Sequence, residues 1–380
     1  MFDRAVLHLD ADTFFVSVER KRNSALKDKP IVIGGGSDRG VVSSCSYEAR
    51  KYGVCSGMAM KMAQRLCPEA IYLRGDMDAY TQESQLITDI ISEYAPVFAK
   101  NSIDDFEVDL SGLDRYFGAF KWSGELRQRI MRESGLPISA GVSVNRFVSK
   151  MASNAAKPCG ELLIDQGQER PFLSPLQIAK MHGVGEVYAR KLVYMGIRKI
   201  GTLSQIPPKL LVREFGKYGT TLWEHSNGID SSRVIPYHEE KSLSKECTFQ
   251  TDTIDLRFLK AQLTDLCSTL AFNLRASGKL ASCVAVKIRY TDFQTYHKQK
   301  QIPYTSSDQT LLDCTLDLFD RLYTRRQLVR LIGVRFSGLV RGNLQISLLE
   351  DTPQEIELLQ ALDRVRRRFG QHAIKWASAL

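Results

Sequence analysis

No stretch of the 380-residue chain approaches the roughly 18 consecutive apolar residues of a membrane-spanning helix. Met1-Phe2-Asp3-Arg4 leads straight into a strand pattern, without the apolar core of a secretory leader. A membrane role is therefore excluded at this level, and a cytoplasmic location is expected. No Cys-x-x-Cys pair occurs. The eight cysteines, Cys45, Cys55, Cys67, Cys159, Cys247, Cys267, Cys283 and Cys314, are scattered with no histidine nearby to complete a zinc site, so they read as free thiols. Internal repeats of fixed period and low-complexity tracts are also missing, which excludes a repeat architecture.

What is present is the composition of a soluble globular protein, 43% hydrophobic and 25% charged, with length enough for two or more ordinary cores. The formal charge of +9 favours a polyanionic partner, although a basic chain need bind nothing of that kind.

The first segment reads as α/β. A strand over 5–10 precedes a helix over 14–22, a strand over 30–33 runs into Gly34-Gly35-Gly36, and a short strand at 41–44 precedes helical patterns at 46–52 and 58–66. A strand at 70–73, a helix over 80–94, a hairpin around 103–110, a helix over 123–133, a strand at 138–144 and a helix over 146–155 follow. Residues 173–225 are dense in short helical patterns punctuated by Gly183, Gly185, Gly196, Gly201 and Pro207-Pro208, which predicts a small all-helical module. After a charged linker, the pattern from Lys241 becomes strand, helix, strand, strand, helix, strand, an order that suits a four-stranded sheet backed by two helices. A last helix is predicted over 353–369.

Two acidic clusters stand far apart in the chain, Asp10 and Asp12 in Val6-Leu7-His8-Leu9-Asp10-Ala11-Asp12, and Asp104 and Asp105 in Ser102-Ile103-Asp104-Asp105-Phe106. A carboxylate at the end of an apolar strand is costly to desolvate unless a partner or a metal compensates it, and Mg²⁺ takes carboxylate and phosphate oxygens. Adjacent strand residues point to opposite faces, so Asp104 and Asp105 serve one site only if a turn or bulge re-aims one of them. With Asp10 they would then hold two Mg²⁺ ions about 3.5–4 Å apart, a site suited to phosphoryl transfer. The other reading makes Asp104 and Asp105 turn residues and Asp10 a strand-end charge, and spacing alone leaves it open. Asp12 reads as the N-cap of the following helix. Ser43-Ser44-Cys45-Ser46-Tyr47-Glu48-Ala49-Arg50 offers hydroxyls and an arginine to a triphosphate, and Lys157 a point charge; singly, Arg50 and Lys157 read as surface residues.

Several runs together resemble one family. Leu9-Asp10-Ala11-Asp12-Thr13-Phe14-Phe15-Val16-Ser17-Val18-Glu19, Ser46-Tyr47-Glu48-Ala49-Arg50-Lys51-Tyr52-Gly53-Val54 with Gly57-Met58, Ser102-Ile103-Asp104-Asp105, Gly141-Val142-Ser143 and Ala156-Lys157-Pro158 are similar, in order, to the motifs of Y-family translesion DNA polymerases of the DNA polymerase IV (DinB) branch. Lys241-Ser242-Leu243 and Arg330-Leu331-Ile332-Gly333-Val334-Arg335 continue the resemblance. It covers about residues 1–340.

The resemblance implies a multidomain α/β and α+β right-hand polymerase: palm at 1–17 and 71–165, fingers at 18–70, a small helical thumb at 166–232, a linker at 233–240, a four-stranded, two-helix little finger at 241–341 and a tail at 342–380. It implies that Asp10, Asp104 and Asp105 are catalytic carboxylates binding Mg²⁺ with the backbone carbonyl of Ala11. It further implies that Phe14, Phe15, Ser44, Tyr47, Arg50 and Lys157 meet the incoming dNTP, with Phe15 as the steric gate against a ribose 2′-hydroxyl. From the residues alone, Phe15 is a core position on an amphipathic helix. The chain departs from the family at Asp105, where a glutamate is usual, and at Glu107, where an aromatic residue is common.

Primer-template DNA is the implied polyanion. Met181-His182-Gly183-Val184-Gly185 resembles a helix-hairpin-helix element whose Gly183 and Gly185 let backbone N–H groups approach phosphates, a plain inter-helix turn being the other reading. Lys241, Lys245, Lys287, Arg289, Lys298, Lys300, Arg330 and Arg335 fall on the predicted strands of the little finger, where alternate side chains share a face. Gln345-Ile346-Ser347-Leu348-Leu349 is similar to the peptide by which bacterial polymerases bind the sliding clamp, a strand edge being the alternative. The final helix, with Arg364, Arg366, Arg367 and Arg368, reads as solvated or packed, or as a DNA contact through its basic end. No segment resembles a proofreading exonuclease, so a low-fidelity translesion polymerase is expected, and a monomer is expected beside it. The competing class is a non-catalytic DNA- and clamp-binding adaptor of the same fold, which the Asp105 departure keeps open. A nucleotidyl cyclase would leave the thumb and little-finger segments unexplained.

Overall fold

The computed structural model describes residues 4–37, 39–113, 118–236, 239–342 and 352–371, with 373, 374 and 377. The chain divides into two compact units, Met1–His238 and Glu239–Leu380.

The first unit contains β1 (Val6–Ala11), β2 (Ile31–Gly34), β3 (Val42–Cys45), β4 (Ile71–Leu73), β5 (Phe98–Lys100), β6 (Asp105–Asp109), β7 (Ile138–Ser143) and β8 (Glu161–Leu163). They form a five-stranded sheet ordered β5-β6-β1-β7-β8 and a three-stranded sheet ordered β3-β2-β4. Alternation along β1 decides what each face of the larger sheet does. Leu7, Leu9 and Ala11 join Phe106, Val108, Ile138, Ala140 and Val142 in a core closed by the helices Met77–Tyr94 and Ala119–Ser134. His8 and Asp10 point the other way. Their register partners Glu107 and Asp105 on β6, and Gly141 and Ser139 on β7, complete a polar face.

One helix, Arg146–Ala156, covers that polar face, its first turn capped by Asn145, whose Oδ1 accepts the Val148 N–H at 2.9 Å. Gly141 explains how close it comes. A Cβ there would stand 2.2 Å from the Ser149 carbonyl oxygen and 2.3 Å from the Ser153 nitrogen, so any other residue would push helix and sheet apart. The buried side of the same helix, through Phe147, Val148 and Met151, continues into the core of the helical module, with Leu173, Leu192, Leu203, Leu211 and Leu222. The module expected at 173–225 is thus built on the helix that covers the polar layer.

The second unit holds β9 (Ser242–Thr253), β10 (Lys279–Tyr290), β11 (Thr295–Thr305), β12 (Val329–Ser337) and β13 (Val340–Arg341). The sheet order is β11-β10-β12-β9, with β13 beside β10, and the helices Leu256–Ala276 and Asp308–Leu322 pack on one face, as the sequence order predicts. The last helix, Thr352–Phe369, packs onto this unit. Arg275 bonds Asp363 at 2.8 Å and pairs with Asp308, and Arg366 donates to Ser268 at 2.8 Å, while Arg364, Arg367 and Arg368 are not buried in this way. The basic run therefore splits between a packed arginine and more accessible ones. The strands β8 and β13, three and two residues long, are too short to show a period in sequence. Among the described residues, no helix is long and apolar enough to cross a membrane.

Candidate active site and nucleic-acid face

β1 and β6 run antiparallel with Asp10 opposite Asp105. Asp104 lies just before β6, and its carbonyl accepts the Ala11 N–H at 2.9 Å, while Ser102 Oγ donates to its carboxylate at 2.5 Å. The bend at 102–104 is the re-aiming device that the adjacent aspartates require. All three carboxylates and Ala11 thus come to one end of two neighbouring strands.

Three strand carboxylates on the polar face, Asp10, Asp105 and Glu107, have cations. Lys157 Nζ bonds Asp10 Oδ1 at 2.6 Å, Lys150 pairs with Asp105, and Arg146 Nε bonds Glu107 Oε2 at 2.5 Å. His8, fully buried, adds a 2.8 Å contact from Nε2 to Asp105 Oδ1. Burial pushes the Asp10 carboxyl above its usual pKa, Lys157 opposes this, and the charge of Asp104 adds to it. Burial would do the same to Asp105, but the hydrogen bonds and charges of His8 and Lys150 outweigh it and hold that carboxyl well below the usual range. Among the described residues, no three His, Cys, Asp or Glu side chains are grouped so as to hold a metal ion, and Asp105 is engaged by Lys150 and His8. The donor chemistry nevertheless fits a hard divalent ion: carboxylate oxygens of partly buried Asp10 and Asp104, close enough to repel, beside Asp105.

Asp12 is not the predicted N-cap. Thr13 precedes the helix Phe14–Arg22 without a capping bond, and Asp12, 1% exposed, is a hub instead. Its carboxylate accepts from Tyr47 Oη at 3.2 Å, Ser139 Oγ at 2.8 Å and the Cys159 backbone N–H. Reading Asp12 as a cap misses this because its partners stand 35, 127 and 147 positions away in the chain. Tyr47 is thereby oriented, its pKa raised by burial and by Asp12, and the Arg50 guanidinium stands 5.2 Å from its ring centroid. Ser44 is buried on β3 and Arg50 is exposed. Phe15 is half-buried and stacks on Tyr80 at 4.3 Å. Phe14, grouped with it as a nucleotide contact, buries its ring in the core at 2% exposure together with Val18.

Comparison with known proteins decides what carries this arrangement. The chain is 35% identical over 377 residues to DNA polymerase IV of Dehalococcoides mccartyi (strain CBDB1), covering 98% of this chain and 96% of that one. This chain belongs to the DNA polymerase IV family. The DNA polymerase IV of Clostridium perfringens (strain 13 / Type A) is 35% identical over 340 residues, 89% of this chain and 95% of that one. The impB/mucB/samB family matches residues 9–154, its C-terminal domain residues 240–348, and the DNA polymerase-iota thumb domain residues 179–230. A Y-family DNA polymerase chimera of Dbh and Dpo4 superposes with a TM-score of 0.79 at 25% identity, covering 89% of this chain and all of that one. An insertion ternary complex of Dbh DNA polymerase gives 0.64 at the same identity and coverage. The fold is the multidomain right-hand polymerase that the motifs imply.

In this Y-family chain the register of the second sheet sorts the candidate DNA contacts. Directly opposed residues share a face. Lys300, Lys298 and Lys245 pair with Val284, Val286 and Val334, which are core residues, so these lysines lie on the helix side; Lys300 stands 3.7 Å from Asp317 of a covering helix. Arg335 pairs with Ala285, and Lys287 and Arg289 with Gly333 and Leu331, on the open side. Alternate residues thus share a face, with Lys287, Arg289 and Arg335 on the open side and Lys245, Lys298 and Lys300 on the helix side. Arg330 sits at a register break, its guanidinium 4.6 Å from the Phe293 ring centroid, and Lys241 precedes β9. Gly333 leaves room over which Lys287 reaches Glu246 at 2.7 Å. In the helical module, Gly183 adopts φ +86 and Gly185 precedes the helix Glu186–Tyr194. The clamp-like residues 345–349 lie outside the described residues. All eight cysteines are free.

Proposed function

We propose that this chain performs template-directed nucleotidyl transfer from a dNTP to a primer 3′-hydroxyl, as a low-fidelity translesion polymerase of the bacterial cytoplasm, with two Mg²⁺ ions held by Asp10, Asp104, Asp105 and the Ala11 carbonyl. The observation that carries the reading is the β1–β6 register, in which Asp10 faces Asp105 and Ala11 bonds to Asp104. Bound Mg²⁺ supplies the charge that lowers the pKa of the primer hydroxyl and neutralises the triphosphate. The protein supplies the rest by position. Lys157, Arg50, Tyr47 and Ser44 bind phosphates, Tyr47 oriented by Asp12. Phe15, backed by Tyr80, presents a ring edge or face that a 2′-hydroxyl would strike.

Primer-template DNA is gripped by phosphate contacts from the Gly183–Gly185 turn and from Lys287, Arg289 and Arg335 on the open sheet face. Residues 345–349 dock the sliding clamp, and the protein works as a monomer. Primer extension with dNTPs and Mg²⁺ tests the central reading. The wild-type chain should extend, and Asp10→Asn and Asp104→Asn should fall to background while still binding DNA; a wild-type chain that binds primer-template but never extends it sinks the assignment. Deleting residues 345–349 should abolish clamp binding and leave distributive extension intact.

A further inference from the structure

The lysines of the polar layer do not hold their carboxylates in the same way. Lys150 lies mid-helix, pressed between Asp105 and His8, whose Nε2 is 3.2 Å from its Nζ. Lys157 is the C-cap residue of the helix Arg146–Ala156, with extended backbone (φ −62, ψ 140), and reaches back to Asp10. Among the described residues one side-chain hydrogen bond holds it, to Asp10, and its side chain is 24% exposed. Asp10, at 15% exposure, has little solvent to replace Lys157 if the lysine leaves, so an arriving cation is the favoured replacement for the ionised carboxylate.

We propose that Lys157 is an exchange residue: its ammonium neutralises Asp10 in the metal-free protein, is displaced when a divalent cation takes that carboxylate, and is thereby released to the triphosphate. This rests on reading Asp10 as a metal ligand and Lys157 as a phosphate contact. Lys157 competes with the metal for Asp10, so it weakens metal binding in the absence of nucleotide. A triphosphate that captures Lys157 removes the competitor, so metal and nucleotide bind cooperatively through one side chain, beyond their own chelation.

The test is Mn²⁺ binding to the intact chain without DNA or nucleotide, read from the free-ion paramagnetic resonance signal. The Asp10 site is defined as the binding that Asp10→Asn removes. Lys157→Met should bind Mn²⁺ at that site about fivefold or more tightly than wild type, the lower range of measured couplings, and Lys157→Arg, which keeps the competitor, should stay near wild type. Lys157 acting only as a structural tie would give unchanged or weaker binding in Lys157→Met, and that result overturns the exchange. Equal tightening in Lys157→Arg and Lys157→Met overturns it as well, since charge would not be the cause. If wild type shows no Mn²⁺ binding sensitive to Asp10→Asn, the metal-ligand reading of Asp10 falls first and takes the exchange with it.

Discussion

Asp10 and Asp105 are register partners on β1 and β6, yet their carboxylates are neutralised from a single helix and its C-cap by different residues, Lys150 and Lys157. Arg146 adds a third rung by pairing with Glu107. The ladder works because two periods nearly match: four helical residues rise about 6 Å, and two strand residues advance about 6.8 Å. A helix lying against the polar face can therefore set Arg146 on Glu107 and Lys150 on Asp105 without strain in either element.

Phe15 stacks on Tyr80 at 4.3 Å, with the ring planes 12° apart, so its ring is held from behind. Replacing it by alanine removes the surface that a ribose hydroxyl would strike. Ribonucleotide incorporation relative to deoxynucleotide should rise by about 100-fold, the scale on which a shaped pocket rejects an added hydroxyl. Single-nucleotide insertion kinetics with dNTP and rNTP check this, and an unchanged ratio removes Phe15 from the gate.

Glu107 is 3% exposed, and its partner Arg146 also reaches the Arg233 carbonyl at 3.3 Å. Glu107→Gln leaves a partly buried guanidinium without its counter-charge. Removing one partner of a buried pair costs about 3–5 kcal/mol; solvent access to Arg146 and the retained amide reduce this to about 1–3 kcal/mol. Urea unfolding should show a lowered midpoint with an unchanged slope.

The open sheet face and the helix side carry different predictions for DNA. Substituting Arg335 and Lys287 by alanine should weaken primer-template binding and shrink the slope of log affinity against log salt by about 0.9 for each phosphate that is no longer neutralised. Lys298→Ala with Lys300→Ala, on the other side, should leave that slope nearly unchanged. Fluorescence anisotropy titrations across salt concentrations separate the two, and equal weakening by both pairs would contradict a one-faced grip.

His225 stacks on Phe147 at 4.1 Å, and burial holds its pKa below the ordinary value of 6.5, against the pull of Asp230. The unfolded chain then binds the proton more readily than the folded one, so stability is complete above about pH 6.5 and declines as pH falls below it. The melting temperature should drop between neutral pH and about pH 5.5. His225→Phe, which keeps the stack and removes the titration, should flatten that dependence; a variant as pH-sensitive as wild type would assign the drop to other groups, such as His182, whose pKa burial also lowers.

Much of the site is legible in the sequence because its signals are local. The alternation Val6-Leu7-His8-Leu9-Asp10 announces a two-faced strand, and adjacent Asp104 and Asp105 demand a bend, which the structure supplies. Asp12 escapes a sequence reading for the opposite reason: its own neighbours suggest a cap, and its actual partners arrive from β7, the loop after residue 157 and the helix Tyr47–Arg50. The helix side of Lys298 and Lys300 is likewise hidden, since residue type does not reveal which side of an edge strand is covered.

By itself, the sequence determined which strands carry carboxylates, where the helices run and how the two units follow one another, because side-chain period and turn chemistry act within a few residues. Only the tertiary structure decided which cation each carboxylate receives, what Asp12 holds and which basic residues of the second sheet face away from its helices. Those outcomes depend on strand register and on how closely the helix above Gly141 approaches, quantities set by packing between residues distant in the chain.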